Sequence, residues 1–185
     1  MFDLDDKIVY PGHGVAVVQE IVKKNVGNSM INFLKLNFLY KDMSILVPIG
    51  NIKSIGIRSP SDLKTVADVT HELQQKPVRK LEGIDFTPSG WNRRNKDYQI
   101  KIQSGKLIEV AKIYRDLMYV SQGKELSFGE KTLLQSTEDL LVQELQTIRN
   151  ISRDLIIQEI RMPFKQLSFR NKNFIGGRPS STQTN

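Results

Sequence analysis

Trp91 is the only tryptophan in a chain of 185 residues, and Asn92, Arg93 and Arg94 follow it directly. Pro88, Ser89 and Gly90 precede it. A core tryptophan normally lies in an apolar run, whereas this one opens a helical pattern among polar and basic neighbours. A large ring beside two guanidiniums suits the edge of a nucleic acid. Helix amides and arginines hold phosphate, and the ring wedges against an unstacked base step. The competing reading is that Trp91 caps a helical bundle, since tryptophans are mostly buried. Residue types alone leave both open.

Other chemistry finds no constellation. The chain has no cysteine, which excludes a disulfide framework, thiolate catalysis, iron–sulfur clusters and zinc–thiolate sites. His13, between Gly12 and Gly14, and His71 are the only histidines, and neither has a nucleophile or metal partner at a recognisable spacing. His13 reads as a turn residue that hydrogen-bonds the backbone. Asp3, Asp5 and Asp6 lack the glycine turn and distal glutamate of a calcium loop. Gly12-His13-Gly14 lacks the remainder of a phosphate-binding loop. The expectation is a non-enzyme with neither metal nor cofactor.

The elements that must carry these residues change character along the chain. Residues 1–58 read as β. Ile8-Val9-Tyr10 is closed by Pro11-Gly12, a β-branched run covers residues 15–22, and Gly27-Asn28 sits at the centre of a hairpin turn. Residues 31–40 alternate, with Phe33, Lys35, Asn37 and Leu39 against Leu34, Leu36 and Phe38. Ser44 to Val47 is cut off by Pro48, and residues 51–57 read as a closing strand. About five short strands in so few residues suggest a small, strongly bent antiparallel barrel. Ser59-Pro60-Ser61-Asp62 marks a boundary, beyond which Leu63, Val66, Val69 and Leu73 have helical spacing. Residues 76–90 read as a loop. Helical patterns then cover residues 91–103, a stripe from Leu107 to Met118, and a long helix opened by the capping box Ser127-Phe128-Gly129-Glu130. One or two further turns are expected at residues 152–161, and from Met162 onward the chain is expected to lack fixed structure.

Net charge is +7, distributed as +2 over residues 1–60, −1 over 61–90, +1 over 91–160 and +5 over 161–185. The excess therefore lies in the tail, and any nucleic-acid contact from the body needs a local cluster. No apolar run has the length of a membrane helix, and the N-terminus carries acids where a secretory signal carries positive charge. A cytoplasmic location is expected.

Two stretches resemble the CarD/CdnL family of bacterial transcription regulators. Residues 6–15, Asp-Lys-Ile-Val-Tyr-Pro-Gly-His-Gly-Val, with Leu46-Val47-Pro48 and Asn51, resemble its N-terminal RNA-polymerase-interacting domain, shared with the transcription-repair coupling factor. Trp91 to Arg94, Ser104-Gly105, Glu109 to Ala111, Arg115 to Leu117, Leu126 to Lys131 and Leu140 to Leu145 resemble its helical C-terminal domain. The resemblance implies an α+β chain. Residues 1–58 form a Tudor/SH3-like antiparallel β-barrel that binds polymerase, and 59–90 a helical linker and loop. Residues 91–160 would form an all-α DNA-contacting domain; the family offers no counterpart for the tail, and composition is what makes 161–185 an expected flexible, disordered basic tail. It implies binding to the RNA polymerase β subunit and to promoter DNA, in the minor groove at the upstream edge of the bubble, stabilising the open complex. Trp91, Arg93, Arg94, Lys96 and Lys131 match the DNA-facing positions, and Lys24, Leu36, Leu46 and Pro48 those for polymerase. Localisation would be the nucleoid, through polymerase.

The departures shape what is expected. Leu46 stands where some relatives carry arginine, so the polymerase contact from this position is apolar. Met118-Tyr119-Val120-Ser121 replaces a run of arginines, and the +5 tail would offset that loss of DNA affinity. Two rivals differ in class. A general nucleic-acid binder would hold free duplex tightly, and an adaptor would bury Trp91 in its bundle.

Overall fold

The computed structural model describes residues 2–76 and 88–172. Strands β1 (Lys7–Tyr10), β2 (Gly14–Val26), β3 (Ser29–Phe38) and β4 (Ser44–Pro48) pair antiparallel in chain order. An irregularity between Val18 and Glu20 bends β2, and the sheet curls into a half-barrel. Its concave face encloses Ile8, Ala16, Val18, Leu34, Leu36, Phe38, Val47 and Ile57. The hairpin turn falls at Gly27-Asn28, with Gly27 at φ 62°.

The fifth strand expected at residues 51–57 is instead helical. A 3-10 turn (Ile49–Asn51) leads into the single turn α1 (Ile52–Ile55). Pro48 has no N–H to continue the ladder. Gly56, at φ 82°, takes the left-handed position that ends a helical turn, and its amide donates back to the Ile52 carbonyl at 3.1 Å. Only Arg58 rejoins the sheet, bridging Val9.

The remaining helices are α2 (Leu63–Gln74), α3 (Pro88–Gln103), α4 (Leu107–Gly123), α5 (Phe128–Arg149) and α6 (Arg153–Lys172). One core joins α2, α4, α5 and α6 through Val69, Leu73, Ala111, Tyr114, Leu141, Val142, Ile156 and Phe164. α3 attaches through a second cluster, in which Ile102 meets Ile113, Leu117 and Leu133.

Two boundaries move. Within the loop expected at residues 76–90, residues 77–87 lie outside the described residues, and Pro88 to Gly90 form the first turn of α3. Proline suits that position, because its missing N–H would have no helical acceptor there. Composition predicts loss of structure from Met162, yet α6 continues to Lys172. Phe164 is the reason. Its ring is 3% exposed and meets Tyr114 and Tyr119 edge-on at 5.9 and 5.7 Å. Its carbonyl accepts from Gln122 Nε2 at 3.1 Å. Boundaries at 91 and 161 therefore fall inside helices. The disorder expected for residues 173–185 lies outside the described residues.

Barrel and bundle meet at a polar junction. Arg58 donates to both carboxylate oxygens of Glu144, at 2.7 and 2.9 Å, and Ser61 donates to Glu144 through its amide and hydroxyl. The Val15 amide donates to Gln143 Oε1 at 3.3 Å. Gly14, at φ 103°, leaves the space this needs, since a methyl group there would stand 2.0 Å from Gln143 Oε1.

Candidate functional site

Trp91 lies in the first turn of α3, half-buried, and packs on the cluster formed by Ile102, Ile113, Leu117 and Leu133. Its indole rests on Gly129 at the start of α5. A methyl group on Gly129 would come within 3.1 Å of the ring, so only glycine admits this seat without a shift. One edge of the ring is thus anchored while part of its surface stays open to solvent.

Glu130 locks the arrangement. It is 3% exposed, and Ser127 and Glu130 close the capping box that starts α5. Glu130 Oε2 accepts from the Ser127 amide at 2.9 Å and from Lys124 Nζ at 2.7 Å, while Oε1 faces Arg94 at 3.5 Å. Burial pushes this carboxyl up, but the bonds from Lys124 and Ser127 outweigh it and hold Glu130 below the usual carboxylate range.

Arg94, expected to face DNA, has a side chain only 12% exposed, with its guanidinium carbon 6.0 Å from the centroid of the Trp91 ring. Its charge is drawn to Glu130, so it supports the indole from the protein side. Arg93 and Lys96 are exposed on α3. Lys131 is exposed on α5 and pairs with Glu125 at 2.8 Å, both largely in solvent. A surface pair of this kind contributes little to stability. Trp91, Arg94 and Lys131 therefore gather where α3 and α5 begin. Residue types do not mark Gly129 and Glu130 as supports of the ring, although the capping-box pattern contains both.

On the barrel, antiparallel pairing sets residues side by side on one face. Lys24 lies opposite Ile31, Phe33 joins Val22 to Pro48, and Lys35 joins Glu20 to Leu46. This is the convex face, carrying Leu46 at 40% exposure, half-buried Pro48 and exposed Lys24. Leu36 corrects an expectation. It is 0% exposed, within the barrel core, so its side chain offers no surface to a partner. Val22, Ile31 and Phe33 complete the convex apolar strip instead, each half-buried.

His13 is exposed at the β1–β2 turn, edge-on to Tyr10 at 5.0 Å. Partial burial, and then the charge of Lys41, lower its pKa. Among the described residues, no group of three or more His, Cys, Asp or Glu is disposed to hold a metal. No described helix is long and apolar enough to cross a membrane.

Two family models match this chain. The CarD-like/TRCF RID domain matches residues 2–60, and the CarD C-terminal domain matches residues 81–161. The chain belongs to the CarD family. As a CarD-family chain it is a transcription regulator. The first match spans the half-barrel and the turn that follows it, and the second spans α3 to the middle of α6. A candidate transcription factor of Bacillus subtilis (strain 168), YdeB, is 28% identical over 156 residues, 84% of this chain and 97% of that one. The solution structure of the 72-residue N-terminal domain of Myxococcus xanthus CarD is 29% identical, covering 32% of this chain and 79% of its own, with a TM-score of 0.29.

Proposed function

We propose that this CarD-family protein binds the β subunit of RNA polymerase through its half-barrel and stabilises the open promoter complex by wedging Trp91 into the minor groove at the upstream edge of the bubble. The observation that carries the reading is the seat of Trp91. The ring is anchored on Gly129, braced by Arg94 and Glu130, and still partly open, beside exposed Arg93, Lys96 and Lys131. A ring buried throughout would serve only the fold, and one free in solvent would lose rotational freedom on wedging. Arg93, Lys96 and Lys131 are the phosphate contacts, and Arg94 acts on the indole. The match of residues 2–60 to a polymerase-interacting domain supports the barrel's role. There Lys24 pairs with an acid of the polymerase, and Leu46 and Pro48 supply the apolar contact.

Unstacking a base step costs a few kcal/mol. A wedge that favours only the open state by about 1.4 kcal/mol shifts opening tenfold. The test is the lifetime of open complexes formed by cognate polymerase on a bacterial promoter. Wild-type protein should lengthen it. Trp91→Ala should lose most of that effect, roughly tenfold, and keep polymerase affinity. Leu46→Glu should lose polymerase affinity and leave Trp91 fluorescence unchanged. No lengthening by wild-type protein, with polymerase binding demonstrated, would sink the reading and leave an adaptor.

A further inference from the structure

Phe128 is 87% exposed, the most open large apolar side chain among the described residues. A single exposed apolar residue is ordinary on a protein surface, but the setting of this one is not. It is the first residue of α5, between the cap Ser127 and Gly129, the residue on which the Trp91 indole rests. Its backbone is thus one peptide unit, about 3.8 Å, from the floor of the tryptophan seat. The capping box and the Glu130 bonds to Lys124 and Ser127 fix that first turn, so the outward placement of Phe128 is imposed by the fold. Exposed cations lie on the two helices that meet here, Arg93 and Lys96 toward the middle of α3 and Lys131 in the first turn of α5, where it pairs with Glu125 in solvent. An apolar protein partner would have to strip water from those cations. A polyanion with flat apolar faces satisfies both kinds of group at once.

We propose that Phe128 is a second aromatic contact to promoter DNA, stacking on an unpaired base at the fork where Trp91 wedges the duplex edge. The two rings divide the work. Trp91, anchored along one edge, keeps the last base step open. Phe128, standing out from the first turn of α5, holds a base already released and so slows its return to the duplex. Sequence tolerance follows, because every base has a π-face.

This inference rests on the open-complex reading, and one set of lifetimes separates the two. Cognate polymerase and promoter are combined with wild-type protein, Trp91→Ala, Phe128→Ala, Phe128→Leu, Phe128→Tyr or no added protein, with polymerase affinity measured for each. Phe128→Ala and Phe128→Leu should shorten the lifetime by at least about fivefold at unchanged polymerase affinity, the low end of base–aromatic stacking. Phe128→Tyr should retain it. Thymines at the upstream fork should be shielded from permanganate by wild-type protein and react more with Phe128→Ala. Because the side chain is so exposed, these variants should melt with the wild type, which circular dichroism checks. Full lifetime with Phe128→Ala, while Trp91→Ala loses it, overturns the assignment and leaves the wedge standing. A shortened lifetime that comes with weaker polymerase binding also overturns it, and makes Phe128 a protein contact. Wild-type protein without effect removes both.

Discussion

Glu130 is the residue on which the tryptophan seat depends. It is nearly inaccessible, yet it faces two cations and completes the cap of α5. Such a carboxylate is stabilising only while ionised. Its pKa in the folded chain is held below the ordinary 4.5, so its contribution is complete above about that value and is lost as pH falls through the lower folded value. Protonation there would release Lys124 and Arg94 and loosen the indole. The sole tryptophan reports this directly: its emission should move to longer wavelength in a step below pH 4.5, before the far-ultraviolet signal of the helices is lost. Glu130→Gln should produce the shifted emission already at pH 7. Unchanged emission in that variant would show that the brace is not needed. Gly129 acts through its missing side chain, which lets the ring approach the start of α5.

At the scale of elements, α6 matters most. Its second half reads as tail in the sequence because residues 162–185 are polar, basic and rich in glycine, serine and threonine, with few apolar residues to bury. One well-placed ring changes the balance. Phe164 closes the bundle against Tyr114 and Tyr119. Phe164→Ala should cost about 3–4 kcal/mol, the usual loss for a large buried aromatic, measurable as a lowered urea midpoint. An effect under about 1 kcal/mol would mean that the bundle closes without it. The same geometry governs any test of the basic C-terminus. Deleting residues 162–185 would remove Phe164 as well as charge, whereas replacing Lys165, Arg170 and Lys172 by glutamine lowers the charge and keeps Phe164. If these cations take part in DNA binding, log affinity for the polymerase–promoter complex should fall less steeply with log salt, by up to about 0.9 for each phosphate no longer neutralised. An unchanged slope would exclude them.

At the scale of the whole molecule, barrel and bundle are coupled through Glu144, 4% exposed in its side chain, and Arg58, 28% exposed. Removing one partner of a buried pair leaves the other charge uncompensated. Since Arg58 retains some solvent, Glu144→Ala should cost about 2–3 kcal/mol rather than the full penalty of a buried pair. In a double-mutant cycle with Arg58→Ala the two effects should be markedly less than additive. Additive effects would mean that the pair does not couple the two parts. On the function proposed above, one part would hold polymerase and the other DNA, and this junction would transmit force between them. Glu144→Ala should therefore shorten the open-complex lifetime at unchanged polymerase affinity.

By itself the sequence determined the order and type of the elements. β-branched alternation with a Gly27-Asn28 turn yields a bent sheet, apolar stripes yield helices, and Ser127 with Glu130 places the start of α5, because each signal lies within a few residues of the element it specifies. The alternation also assigns Leu36 to the face of Leu34 and Phe38, and the core location follows from it, against the contact role inferred from resemblance. What needed the tertiary structure was everything set by residues distant along the chain. Where the chain rejoins the sheet after the helical turn is set by Val9, which bridges Arg58 49 positions on. α6 outlasts its composition because helix α4 provides a slot for Phe164. Arg93 and Arg94 are neighbours with equal charge; helical spacing puts Arg94 on the face of Trp91, and the carboxylate it meets there, Glu130, lies 36 positions on. Phe128 and Trp91 come to one end of the bundle for the same reason. Local propensity places residues along an element, and packing decides which of them meet and which still face water.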